Sequence, residues 1–485
     1  GSECAEVAAG RWYPVPFLSG HFGAVTDVCW SADGSYFITV SSDETCRMWA
    51  SVPAAKIGAL VAGSRSQWRE IARPVIHGYD LTCVALCPVE RSFLLYLGSS
   101  GKTIRVFDAP QEALRGLKHL CGVAVATELV ENSTVLCRTS NAEAHGQDSD
   151  EGRSTKEPSL SKRVVRAFSP ELALTNKAAD LMSAEERADI ESRGVPTLEW
   201  TRPPLQGQLA DHTLFPEAAT LYGHTNDVTA LTVSPDGRWL ASACKAREAS
   251  TASVLIWSTY NLGSSAAPAS RLEGHDSTVV ALSFDGSSTR LASAGKDRAL
   301  CVHRYATNQM GFQTCVKVKG AHKRIIWGAS WFEAIHGEEP MLVTGSRDGT
   351  CKFWTSTRLS DTTSFTCMHT ISPFGGVAIT AVASWTLHTN AVPGTNSDQG
   401  CLALAVGSDD GRIQLWDVLM SHTEQDTAVT VTSSLRATTT SSESTQHGAA
   451  VRRIRWRPNS AAHGGGADFV SCADDFSIKL FSTVM

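Results

Sequence analysis

None of the fourteen cysteines, scattered from Cys4 to Cys472, sits in a C-x-x-C pair. Many stand inside apolar, strand-like runs, as Cys29, Cys83, Cys301 and Cys401 do. There a small thiol serves as a buried hydrophobe, so the pattern argues against a disulfide framework or a zinc site and for a reducing compartment. No apolar run reaches the ~18 residues a membrane helix needs, and no basic n-region with an apolar h-region opens the chain. The expectation is a soluble, cytoplasmic protein with no membrane partner, the nucleus being left open. The sequon Asn132-Ser133-Thr134 then meets no glycosylation machinery. Residues 1–10, opening Gly1-Ser2 without Met, read as a linker on a fragment of something longer. Basic residues are not in excess: 43 Lys and Arg against 49 Asp and Glu give a net charge of −6. That argues against general nucleic-acid binding but leaves room for a local basic patch.

Tryptophan, by contrast, is abundant, with 13 copies, and a repeat accounts for it. One unit recurs: Gly-His, three residues, an apolar residue, a strand-like run, a tight turn, a second strand, an Asp, then an aromatic six positions later. The clearest copy runs from Gly20-His21 to Asp43 and Trp49, and others start at His77, His224, His275, His322 and His447. A further copy, lacking the His, ends at Asp410 and Trp416. The spacing of six holds for Asp43–Trp49, Asp348–Trp354, Asp410–Trp416 and Asp475–Phe481, and His303 takes the aromatic place after Asp297. A constant short spacing beside variable longer ones indicates a fixed turn and strand with tolerant loops.

A four-stranded blade cannot bury both faces alone, so such blades stack around a channel. The His of the incoming loop bonds the Asp of the turn, and a Ser or Thr relays that bond to the Trp N–H, satisfying buried polar groups. The full set is His21, Thr39, Asp43 and Trp49, and again His322, Thr344, Asp348 and Trp354. This is the WD40 pattern. It predicts an all-β, seven-bladed WD40 β-propeller over 11–485, closed by an N-terminal strand at Arg11–Leu18 and carrying one long insertion at about 111–213. Within the insertion, the acidic, Ser-rich Glu143–Glu157 reads as disordered, Arg163–Leu174 as a strand, and Ser183-x-x-Glu186 as the start of a short helix to Ser192. The polar stretches 390–399 and 422–446 read as mobile loops. The third copy has Ser242-Ala243-Cys244-Lys245 with no Asp in the turn, and the second has Gly101 there and Phe107 for Trp.

The Ser/Thr, His and Asp sets match a hydrolase triad only in composition, because they recur once per blade beside an aromatic. Gly98–Thr103 fails as a phosphate loop, since Tyr96 stands where the pattern needs Gly and a strand follows. No H-E-x-x-H motif, paired Cys or carboxylate cluster suggests a metal. The chain therefore reads as no enzyme, with no cofactor and no small-molecule substrate. The loop with the His and the turn with the Asp share one face, and basic residues gather there: Lys245 and Arg247, Lys296 and Arg298, Lys323, Arg324 and Arg347, and Arg452 with Arg453. Such a face suits RNA phosphates or an acidic partner.

Particular stretches go beyond the generic repeat: Ser19-Gly20-His21 with Val25 and Trp30, the run Glu70–Leu81, Asn176-Lys177-Ala178, Leu221–His224, Leu240–Lys245, Arg324–Trp327 with Trp331, and Thr344–Asp348. Together they resemble the Elongator subunit 2 family, over roughly 17–480 and including the non-repeat insertion. The resemblance implies the C-terminal of two tandem propellers and a non-catalytic scaffold in the assembly that modifies wobble uridines of tRNA. It also implies subunits 1 and 3 as partners. The alternative is a stand-alone peptide-recognition propeller, such as a ubiquitin-ligase substrate receptor.

Overall fold

The computed structural model describes residues 13–14, 20–57, 66–76, 78–88, 93–123, 134–135, 161–162, 166–168, 176–178, 198–262, 266–306, 311–333, 339–359, 362–387, 401–423, 426–440, 445–458 and 466–484. Seven four-stranded antiparallel sheets form the blades of one propeller. Blades 1, 3, 4, 5 and 6 are continuous in sequence, from Val25, Val228, Val279, Ile326 and Ile379 to Ile76, Leu272, Val318, Ile371 and Thr438. Blade 2 (Leu81–Asp108) takes its outer strand, Glu217–Leu221, from beyond the insertion. Blade 7 (Val451–Val484) takes its outer strand from the N-terminus: Tyr13 pairs with Ser482 and Pro14 with Phe481. The rest of the predicted closing strand lies outside the described residues.

Each innermost strand has a register shift at its second residue, from Val25/Asp27 in blade 1 to Val451/Arg453 in blade 7. A bulge of this kind sharpens the local twist. In blades 1, 2 and 3 the bulged residue is a Thr whose hydroxyl staples the next blade: Thr26 to the Leu81 carbonyl at 2.8 Å, Thr82 to Val228 at 2.6 Å and Thr229 to Val279 at 2.7 Å.

The core is distributed rather than central. Each interface between neighbouring blades has its own apolar cluster; Val28, Phe37 and Trp49 against Val470, Cys472 and Leu480 seal blade 7 to blade 1. Burial raises the Cys83 thiol to about 12, as an inert hydrophobe requires. The blade 1–2 interface is thickest, because a helix from the insertion, Gln111–Cys121, adds Leu114, Leu117 and Leu120 to it. That three-residue spacing puts one apolar stripe on the helix. Gly122 in the left-handed region (φ 71°) ends it, donating to the Leu117 carbonyl. Gly116 lets Trp200 lie against the helix, where an added Cβ would meet the indole at 2.6 Å.

Two expectations need correction. The stretch 422–446 is not wholly loop: Asp426–Thr438 is the outer strand of blade 6, paired along Ile413–Thr423. Its Ser/Thr content suggests mobility, but an outer strand has one wet side, and the β-branched alternation Val429, Val431 suits it; Val431 is buried. The insertion also contains the Gln111–Cys121 helix and a second one, Gln206–His212. Of the expected strand at Arg163–Leu174, Ala167–Phe168 is a strand, paired with Lys177–Ala178. The stretches 1–10, Glu143–Glu157, Ser183–Ser192 and 390–399, and His77, lie outside the described residues. Among those described, no helix is long and apolar enough to cross a membrane.

Candidate partner-binding face

The loops that enter each blade and the turns between its second and third strands share one face, and buried hydrogen bonds hold them together. In blade 1, Trp49 Nε1 donates to Thr39 Oγ1 (2.9 Å), the Thr hydroxyl lies 2.8 Å from His21 Nε2, and His21 Nδ1 lies 2.8 Å from Asp43. Asp43 also accepts the Phe22 and Thr45 amides at 3.1 and 3.0 Å. Blade 5 repeats this with Trp354, Thr344, His322 and Asp348, at 2.8, 2.8 and 3.2 Å. Blade 7 does so with Ser471, His447 and Asp475. Burial lowers the His322 pKa to about 4 and outweighs the pull of Asp348. Thr39 and Thr344 are fully buried, so no substrate reaches either hydroxyl. The arrangement fixes loops; it does not present a nucleophile.

Degenerate blades replace the missing parts individually. Blade 3 keeps His224 to Ser242 and Trp257 to Ser242, both at 2.8 Å, without an Asp, and burial lowers His224 to about 4. Blade 6, lacking the His, bonds Arg412 Nε to Asp410 at 2.9 Å and lays the guanidinium over Phe374 at 5.2 Å. In blade 2 the Gly101 amide donates to Ser99 Oγ at 3.1 Å, and Gly98–Thr103 is the end of one strand of that sheet and the turn to the next.

The predicted basic residues divide. Lys245 and Arg247 leave blade 3, Lys296 and Arg298 form the turn of blade 4, and Lys323, Arg324 and Arg347 flank blade 5; all seven are exposed. Lys245 lies 3.8 Å from Asp227. No ion pair engages Lys296, Arg298, Lys323, Arg324 or Arg347 among the described residues. Arg452 is set apart on blade 7, doubly bonded to Asp474 at 2.6 Å, which holds it still more firmly protonated. Arg453 does not belong to the face at all, because it lines the central channel. The cationic arc is therefore blades 3 to 5.

Sequence reasoning missed a second arc. Phe22 (72% exposed), Tyr79, Tyr222 (65%) and Phe476 project from the loops and turns of blades 7, 1, 2 and 3. Of the exposed large aromatics among the described residues, only Tyr260 lies elsewhere. The signal was available in the repeat. Phe22 follows the network His where other copies have Thr225, Asp276, Lys323 and Gly448. Phe476 occupies the left-handed turn position (φ 64°) taken by Glu44, Arg298, Gly349 and Gly411.

Comparison with known proteins fits this geometry. The family described as WD domain, G-beta repeat matches residues 12–50, 216–258, 267–304, 313–355 and 365–417. Elongator complex protein 2 of Arabidopsis thaliana is 31% identical over 97% of this chain and 52% of its own length. The Homo sapiens protein of that name is 28% identical over 97% and 54%, and that of Schizosaccharomyces pombe 29% over 84% and 45%. The chain is a WD40-repeat homologue of Elongator complex protein 2. It spans about half the length of the curated relatives it matches. The matched stretches leave out the three inner strands of blades 2 and 7, although blade 7 has the His447–Ser471–Asp475 network.

Proposed function

We propose that this WD40 homologue is a non-catalytic scaffold subunit of the Elongator assembly and supports wobble-uridine modification of tRNA by holding subunits 1 and 3. The observation that carries the reading is the likeness to Elongator complex protein 2 of plant, fungal and animal organisms, which in most runs over nearly the whole chain, insertion included. The buried networks support a holding role, since they stiffen loops without exposing reactive groups. The proposed working locations are cytoplasm and nucleus. Tagged chain recovered from cell extract should bring down Elongator subunits 1 and 3 by mass spectrometry. Recovery of a ubiquitin-ligase adaptor instead would overturn this in favour of the stand-alone receptor.

The five cations of blades 4 and 5 that have no ion pair among the described residues favour an acidic contact on that face, either a protein or tRNA phosphate. Charge reversal at Arg324 and Arg347 should weaken subunit recovery if the contact is protein. If it is tRNA, the same change should weaken tRNA binding and flatten its salt dependence.

A further inference from the structure

The innermost strands of the seven blades carry four charged side chains: Asp27, Arg452, Arg453 and Arg455. Arg452 turns outward to Asp474; the other three face the channel. Asp27 is almost fully buried and accepts the amides of Val28 (2.9 Å) and Val84 (3.1 Å) and the Nε of Arg453 (3.2 Å). Arg453 also reaches across the lumen, its Nη2 lying 3.4 Å from the Val280 carbonyl on blade 4. The one carboxylate on these strands is thus committed to Arg453. Arg455, two residues along and on the same side of the strand, has no side-chain hydrogen bond or ion pair among the described residues.

A guanidinium cannot give up its proton in a protein. Burial opposes the Arg455 charge and the Asp27 carboxylate supports it, and the innermost strands turn one more positive than negative charge toward the lumen. Arg453 and Arg455 border a cavity of about 10 Å³ whose other walls include Ala230, Ala281, Gly328 and Ala381. That is room for about one water-sized body beside the two guanidiniums.

We propose that the channel is a binding site for a small monatomic anion of the chloride class, held by the Arg455 guanidinium beside Arg453. The anion balances the cation that has no partner among the described residues, and a monatomic anion is the kind nearest in size to the water that the space admits. Crystals of the 485-residue chain soaked in bromide test this by anomalous diffraction. The expected result is a peak beside Arg455 that is absent from Arg455→Met crystals treated alike. In solution at constant ionic strength, replacing gluconate by chloride should raise the thermal midpoint of the unaltered chain but not of Arg455→Met. No bromide peak in the lumen, or an equal chloride response in the variant, overturns the proposal. Should Arg455→Met fail to fold, the bromide peak in the unaltered chain decides alone.

Discussion

Blades 1 and 4 use the same loop architecture with opposite proton traffic. In blade 1 the Trp49 N–H donates to Thr39, so the Thr39 hydroxyl is free to donate to His21 Nε2. His21 then needs one proton, on Nδ1 facing Asp43, and stays neutral; burial lowers its pKa against the pull of Asp43. In blade 4 His303 replaces the Trp. Thr314 donates its hydroxyl proton to the Glu273 carbonyl (2.6 Å), so His303 Nδ1 must be the donor across the 2.9 Å to Thr314. His303 Nε2 therefore accepts from Ser293 (2.7 Å), whose proton is then spent. His275 must donate to both Ser293 and Asp297, each at 2.8 Å, and it is an imidazolium. Its pKa agrees: burial opposes the charge, but Asp297 and Cys301, through hydrogen bonds and charge, together override it and raise His275 to about 9. One ring exchanged for another turns a neutral relay into a buried ion pair.

The comparison breaks most visibly at the carboxylates. Asp297→Asn strips a buried cation of its counter-charge and should cost about 3 kcal/mol. Asp348→Asn removes a bond to a neutral imidazole and should cost about 1 kcal/mol; urea unfolding at pH 7 measures both. Equal losses would deny the difference.

The pH profile tests the same contrast, at about 1.4 kcal/mol per pH unit for each shifted group. His224 and His322 (about 4) and His303 (about 3) are lowered by burial. Their contribution is whole above pH 6.5 and lost as pH falls from there toward 4, because the unfolded chain then binds more protons. His275 acts in reverse: its contribution is whole below pH 6.5 and fades as pH rises through about 9. Unfolding midpoints from pH 4 to 9 should trace both slopes.

His303→Trp should restore the blade 1 polarity. Ser293 would regain a donor from below and give its proton to His275, whose titration, followed by NMR, should move from about 9 to below 6.5. The smallest effect is expected on the rim: Arg347→Glu should change stability by under about 0.5 kcal/mol while altering partner recovery.

The repeat spacing makes the ring, its closure and the loop networks legible, because Asp-to-aromatic spacing reflects one turn and one strand. The Gln111–Cys121 helix is hidden inside a stretch that the repeat does not explain, although Leu114, Leu117 and Leu120 already mark a stripe. His303 reads from the spacing as an aromatic substitute, but its consequence depends on Thr314 and Glu273, which belong to another strand and another loop. Asp27 and Arg453 stand at opposite ends of the sequence and meet only because the ring closes. No local pattern contains such a pair.

That closure also sets a clock. Tyr13 finds its partner in Ser482, so nearly the entire chain must be made before the last sheet can be completed. At ~5–20 residues per second of synthesis, the wait is roughly 20–90 s. Throughout it, the blade 1 side that will meet Val470 and Leu480 stays uncovered. A nascent propeller of this design needs either a chaperone or a transient stand-in at that edge until its final residues emerge.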